Sequence, residues 1–277
     1  MEQLQRLSTR VLSADRREAL LTTGASALVI SFLAWCVRDY RAYLALGPGG
    51  PPYNVLGWGV ITFGVRPFAL GKASVFDTRD YPATGAHADV AALPPRRGAR
   101  AQVGGVAPHR QLSQHPPEHL RAKIRALFGN AAAQNPDVVE MKLSLYERHN
   151  HALFVKSALL EDADARKTLP QTPIISRGEI GHPHPDLSIH LYLSPADARV
   201  LIEKGWAERH RLSVPRTSIF AGRYHVADTF LMVYGPRDEE EMAALQTILL
   251  DSIRFMTGKE DIQTPEWDYT PPLPADS

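Results

Sequence analysis

The sequence predicts an α+β protein with a largely antiparallel sheet and packed helices, preceded by one N-terminal transmembrane helix. Three observations carry that prediction: a long uncharged apolar run near the start, alternating segments that follow one another with few helices between them, and a closing amphipathic helix. The 277 residues suit one large core or two small ones. Hydrophobic residues at 44% and charged residues at 22% exclude a wholly disordered or collagen-like chain. Lysine and arginine total 31 against 30 acids, so the net charge of +1 supplies no field to concentrate polyanions, and no nucleic-acid partner is expected. The only cysteine, Cys36, excludes an intramolecular disulfide framework and any multi-cysteine metal cluster.

Residues 19 to 37 contain no charge, and nineteen residues at ~1.5 Å rise nearly match a ~30 Å hydrocarbon core. Trp35 and Tyr40 stand where interfacial aromatics stand, and Arg16, Arg17, Arg38 and Arg41 flank the run. The polar stretch ahead of it is long for a signal peptide, so residues 1–45 read as a membrane anchor. More arginines precede the run than follow it, which puts the N-terminus in the cytosol; a single-pass protein of the endoplasmic reticulum or another internal membrane is the expected setting. Residues 46–116 read as a Pro/Gly/Arg-rich connecting and packing region, opened by Gly47-Pro-Gly-Gly-Pro-Pro52, with an apolar stretch at 55 to 65 too short to span.

Residues 117–260 hold the regular part. Leu120, Ile124, Leu127 and Phe128 lie at helical spacing, with Gly129 as the expected stop. Val139, Met141, Leu143 and Leu145 alternate with polar residues as in a half-buried strand, and 151 to 157, 188 to 193 and 229 to 234 read as further strands. Ser194 caps a helix that begins at Pro195 and ends at Gly205. Residues 237 to 257 form a helix with acids in its first turn and an apolar stripe. The proline-rich residues 261–277 read as a disordered tail.

The densest chemistry lies between Glu179 and His190. Pro183 and Pro185 push the residues before them out of the helical region, so His182 and His184 belong to an extended segment and share one side. His190 rises from the polar face of the next strand, and Glu179 and Asp186 stand close by in sequence. Imidazoles titrating near 6.5 suit a proton acceptor at neutral pH, and the same three histidines have the ligand chemistry of a metal site, though at no recognised zinc spacing. Spacing alone leaves both readings open. No G-x-S-x-G elbow, P-loop, G-x-G-x-x-G fingerprint or H-E-x-x-H motif occurs, so nothing supports flavin, nicotinamide or ATP.

Arg38-Asp-Tyr40, Leu44-x-x-Gly47-Pro48, Glu179-Ile-x-His182-x-His184, His190-Leu191, Glu203-Lys-Gly-Trp206-x-x-Arg209-His210 and Tyr234-x-Pro236-Arg-Asp-Glu-Glu240 together resemble the fungal luciferases and the wider luciferase-like domain family, which includes non-luminous members. The resemblance implies a membrane-anchored oxygenase that oxidises a 3-hydroxy-α-pyrone of the 3-hydroxyhispidin type. Molecular oxygen is the co-substrate, and an endoperoxide loses carbon dioxide to leave an excited product; neither a metal nor an organic cofactor takes part. It implies His182 or His184 as the base within a cluster completed by His190, oriented by Glu179 or Asp186. Arg209 or His210 then stabilises peroxide charge, and Tyr192, Trp206 and Tyr234 contact the substrate. The expected partners are a pyrone or phenolic small molecule and the lipid bilayer; the sequence gives no oligomeric state. His184 and His190 are closer together than in the luminous pattern. The alternative is therefore a non-luminous homologue that binds or transforms another phenolic or pyrone, including by hydrolysis.

Overall fold

The computed structural model describes residues 2–221 and 223–268, with side chains from residue 16 onward. It divides into two compact units, Met1–Ala45 and Leu46–Ser277. The first is one helix, Glu2–Ala45, whose Arg16–Ala45 part is long and apolar enough to cross a membrane. Leu20, Leu28, Ile30 and Leu33 lie exposed along it, an arrangement that water disfavours and lipid does not.

The second unit carries an antiparallel ribbon, β1 (Val103–Gly105) with β2 (His109–Gln111), and a six-stranded sheet. The sheet strands are β3 (Val139–Leu143), β4 (His151–Val155), β5 (Glu179–Pro183), β6 (Ile189–Tyr192), β7 (Ala207–Arg209) and β8 (Phe230–Val233). Their spatial order is β3-β4-β5-β6-β8-β7, and every neighbouring pair is antiparallel. The predicted α+β class is the observed one. β5 and β7 carry neither the alternation of β3 and β6 nor the apolar run of β4 and β8, and are ordered by their neighbours in the sheet.

The sheet shares its core with helices Leu120–Gln134, Pro195–Glu203 and Glu239–Thr257: Ile124, Leu127 and Phe128 join Ile189, Leu191, Leu231, Leu245, Ile248 and Ile253 in one buried cluster. Ser194 Oγ accepts the Asp197 N–H at 3.2 Å and Pro195 opens the second of these helices. Asp238 caps the third by accepting the Glu241 N–H at 3.0 Å, and Gly258, at φ +63°, ends it. Gly129 does not stop the first helix, which runs on to Gln134. Burial of Ala131 two residues further on helps offset the roughly 1 kcal/mol that a glycine costs inside a helix.

Residues 46–116, read as a connecting and packing region, contribute to the body. Val90 and Val106 are buried, Arg96 meets Glu241 at 3.2 Å, and Pro94 O accepts the Trp206 Nε1–H at 2.8 Å. The tail read as disordered is packed as far as it is described. Ile262 is buried, Asn135 exchanges two hydrogen bonds with Gln263, and Trp267 lies against the core; residues 269–277 lie outside the described residues. Asn130 within the helix Leu120–Gln134 and Asn135 at its C-terminal cap supply the partners that hold this segment.

Gly181 of β5 faces Leu191 across the ladder, and a Cβ there would stand 2.1 Å from His190 O and 2.6 Å from Leu191 Cδ2. Gly181→Ala should therefore destabilise the protein by about 1–3 kcal/mol, the range for overpacking a close contact. Thermal or denaturant unfolding checks this; an unchanged midpoint contradicts it.

Candidate active site

β5 and β6 are registered so that His182 lies opposite His190, which places both imidazoles on one face of the sheet. His184, two residues beyond His182, falls on the same side. The ring centroids of His182 and His184 are 5.1 Å apart, and those of His184 and His190 are 4.3 Å apart. Two further histidines arrive from elsewhere. His210 follows β7, with its ring 4.8 Å from that of His190, and His109 of β2 brings its Nδ1 to 3.2 Å from His190 Nε2. All five are buried.

Glu179 reaches this face through a local irregularity. The ladder pairs Leu153 with Gly181 but Phe154 with Glu179, so β5 holds one extra residue at this step. In a regular strand, residues three apart point to opposite faces. The bulge instead sets the Glu179 carboxyl against His182, with Nδ1 2.6 Å from Oε1. The carboxyl is fully buried and also accepts from Ser144 Oγ at 2.8 Å and the Leu145 N–H at 2.7 Å. His182 therefore donates through Nδ1 and keeps a lone pair on Nε2, which has no partner.

A similar relay fixes His184. Ser188 Oγ donates to Asp186 Oδ1 at 2.7 Å and so accepts the His184 Nδ1–H at 2.9 Å, leaving His184 Nε2 as a second buried lone pair with no partner. Asp186 Oδ2 accepts the Gln111 N–H at 2.8 Å and ties the ribbon carrying His109 to this loop. His210 has the opposite polarity. Its Nδ1 accepts the Leu212 N–H at 3.0 Å, so the neutral ring carries its proton on Nε2.

Burial holds His109, His184 and His190 well below the usual imidazole range, and it brings His210 down to about 3. Neighbouring imidazoles and the guanidiniums of Arg110 and Arg211 push in the same direction. These four rings are neutral at physiological pH.

His109, His190 and His210 form one wall of a cavity of about 380 Å³, otherwise lined largely by apolar groups including Ile61, Val65, Val106, Leu145, Tyr146, Val226 and Phe230. Glu147 and Arg148 supply polar groups to the lining. Glu147 pairs with Arg110 through two contacts of 2.5 and 3.0 Å, and its Oε1 lies 3.9 Å from His184 Nε2. His182 and His184 stand behind His190 and do not line the cavity.

Other residues expected at the site are elsewhere. Arg209 is registered with Leu231, which pairs with Leu191, so it points to the helix-packed face; it is buried over the Tyr81 ring and bonded to Asp80 at 2.7 Å. One residue along the strand reverses the side, which is why His210 joins the cluster and Arg209 does not. Trp206 packs in the core with its N–H on Pro94, and Tyr234 donates to Glu208 at 2.8 Å under the Arg96 guanidinium. Tyr192 is fully buried against Phe230 and hydrogen-bonded to Tyr146 at 2.9 Å, so it supports the cavity wall from behind. Sequence reasoning missed His109, Ser144, Tyr146, Glu147 and Ser188. His109 sits in a stretch without periodicity, and nothing in its local sequence marks it.

The fold and site thus define an α+β protein with a buried polyhistidine cluster at the wall of an apolar cavity. Residues 177–251 match the Luciferase domain family, a span that contains Glu179, His182, His184, His190 and His210. The chain is 29% identical to a luciferase of Armillaria gallica over 228 residues, covering 80% of this chain and 81% of that one. It is 28% identical to a luciferase of Armillaria mellea over 256 residues (88% and 90%), and 26% identical to one of Neonothopanus nambi over 262 residues (92% and 94%). The chain is thus similar to fungal luciferases over most of its length. No solved structure matches the chain significantly.

The neutral imidazoles set a sign for acid stability. An unfolded histidine takes up a proton near pH 6.5, whereas His210 in the folded protein does so near 3. The unfolded state binds more protons in that window, so folding stability falls as the pH drops below about 6.5, by about 1.4 kcal/mol per pH unit for each such group. Chemical denaturation between pH 7.5 and pH 4.5 should show this loss, with a shallower slope in His210→Gln; a midpoint independent of pH contradicts it.

Proposed function

We propose that this protein is a membrane-anchored, luciferase-like oxygenase that oxidises a 3-hydroxy-α-pyrone of the 3-hydroxyhispidin type with molecular oxygen and no organic cofactor. One observation carries the reading: a wall of neutral imidazoles faces an apolar cavity of a size suited to a small planar molecule, in a chain similar to luciferases over most of its length.

The reaction requires loss of the 3-hydroxyl proton, which makes the ring electron-rich enough to meet oxygen, and then stabilisation of the negative charge that builds on the peroxide. His109 and His190 face the cavity with one proton shared between them in their mutual contact, and a neutral pair of this kind retains a lone pair for a second proton. His210, with its proton on Nε2, supplies a hydrogen bond to the developing oxygen charge. Glu179 and His182 act from behind, fixing the ring positions rather than touching substrate. The apolar walls exclude water, which favours charge stabilisation by fixed donors and protects the peroxide from hydrolysis.

Mixing the purified protein with 3-hydroxyhispidin in air, while recording oxygen uptake, product and photons, tests the reading. Oxygen consumption with pyrone conversion is expected, with light as a separate outcome. Conversion under nitrogen marks a hydrolase, and binding without conversion marks a binding protein. His190→Ala and His109→Ala should each lower turnover by roughly 10²- to 10⁴-fold with the fold retained. Unchanged turnover in both rejects the assigned roles.

The Arg16–Ala45 helix anchors this domain to an internal membrane such as the endoplasmic reticulum. The full chain is expected to stay in the pellet after a carbonate wash, while residues 46–277 alone are released; full-length protein found in the supernatant overturns the anchor.

A further inference from the structure

We propose that His182, His184 and His190 bind a divalent first-row transition-metal ion at the back of the cavity wall. The resemblance to luciferases implies no metal, but the hydrogen bonds around these rings point to one. One nitrogen from each lies within 4.8 Å of the others, so the three stand within about 2.8 Å of a common point, and modest ring rotations bring them to the ~2.0–2.1 Å of a metal–imidazole bond.

The protonation pattern supports this placement. The Nδ1–H of His182 is committed to Glu179 and that of His184 to Ser188, which is itself bonded to Asp186. Each ring therefore turns a buried, unpartnered Nε2 lone pair inward. A buried acceptor without a donor is costly, and here two share one small space. Carboxyl- or hydroxyl-bound Nδ1 with Nε2 left free is the arrangement that orients metal-binding histidines and raises their basicity. In the tautomer that donates its Nε2–H to His109, His190 keeps its lone pair on Nδ1 for the ion.

A second group, His109, His190 and His210, is equally close, but His210 spends its lone pair on the Leu212 N–H and offers an N–H instead, so it does not suit a cation. Glu147, Glu179 and Asp186 lie around the favoured triad against Arg110, which is paired with Glu147. Three imidazoles, of which His190 also lines the cavity, are the donor set of a zinc or ferrous-type centre. A 3-hydroxy-α-pyrone carries its hydroxyl beside the ring carbonyl, a pair of oxygens that chelates such an ion. The metal would favour ionisation of the substrate hydroxyl. That last step rests on the proposed function, whereas metal binding does not.

Elemental analysis of the detergent-purified full chain should give about one transition-metal ion per chain. After chelator treatment, titration with Co²⁺ should produce visible ligand-field absorption saturating near one equivalent, and Zn²⁺ should raise the thermal midpoint. His184→Gln should abolish the saturable absorption. Glu179→Gln, a milder change, should weaken Co²⁺ binding by about 10- to 100-fold, and His210→Gln should leave the stoichiometry intact. Wild-type protein with no bound metal and no saturable Co²⁺ signal overturns the proposal, as does loss of binding in His210→Gln to the same degree as in His184→Gln. Oxygen uptake with the pyrone in protein that binds no Co²⁺ removes the metal and leaves the oxygenase; Co²⁺ binding without oxygen uptake does the reverse.

Discussion

The fully enclosed carboxyl of Glu179 is the contact on which the site depends. Removing such a group from water is costly unless its oxygens are met by donors, and here three converge: Ser144 Oγ, the Leu145 N–H and His182 Nδ1. The first two come from the turn after β3 and the third from β5, so one side chain ties two parts of the sheet together. It also fixes the proton of His182 and thereby the chemical character of the nitrogen that faces inward. The bulge in β5 is what makes the contact possible, because without the extra residue Glu179 would project into the helix-packed core.

The sheet divides its labour by face. Along β6, Ile189 and Leu191 enter the hydrophobic cluster shared with the helices, while His190 and the residues registered with it project to the other side. Polar groups are thus gathered on a face supported from behind by a well-packed core. Phe230 mediates between the two demands: it stacks on Tyr192 at 4.3 Å and lies 4.8 Å from His190, giving the imidazoles an apolar neighbour that keeps them dry and neutral.

The cavity is assembled from distant parts of the chain. The loop near Pro48 and Gly50 is held by the Arg110–Glu147 pair, since Pro48 O accepts from Arg110 Nη2 at 2.9 Å and the Gly50 N–H donates to Glu147 O at 3.0 Å. The same ion pair stands beside His184.

Much was legible in the sequence because it depends on local rules. The apolar run of residues 19 to 37, four of the sheet strands, the helix capped at Ser194, the amphipathic closing helix and the sidedness of His182 and His184 all follow from period, capping chemistry and the restriction that proline places on its predecessor. Tertiary structure decided the rest. Arg209 and His210 are adjacent in sequence yet serve opposite faces, and only the register of β7 on β8 says which joins the site. His109 enters the cluster across 81 residues from His190, through a ribbon whose sequence carries no period. Residues 261–268 order because Asn130 and Asn135 meet their backbone, not because of their own composition. Local chemistry fixes what a segment can form and which side a residue can face. Which side chains meet, and hence which nitrogen keeps a proton, depends on contacts between segments that sequence spacing does not encode.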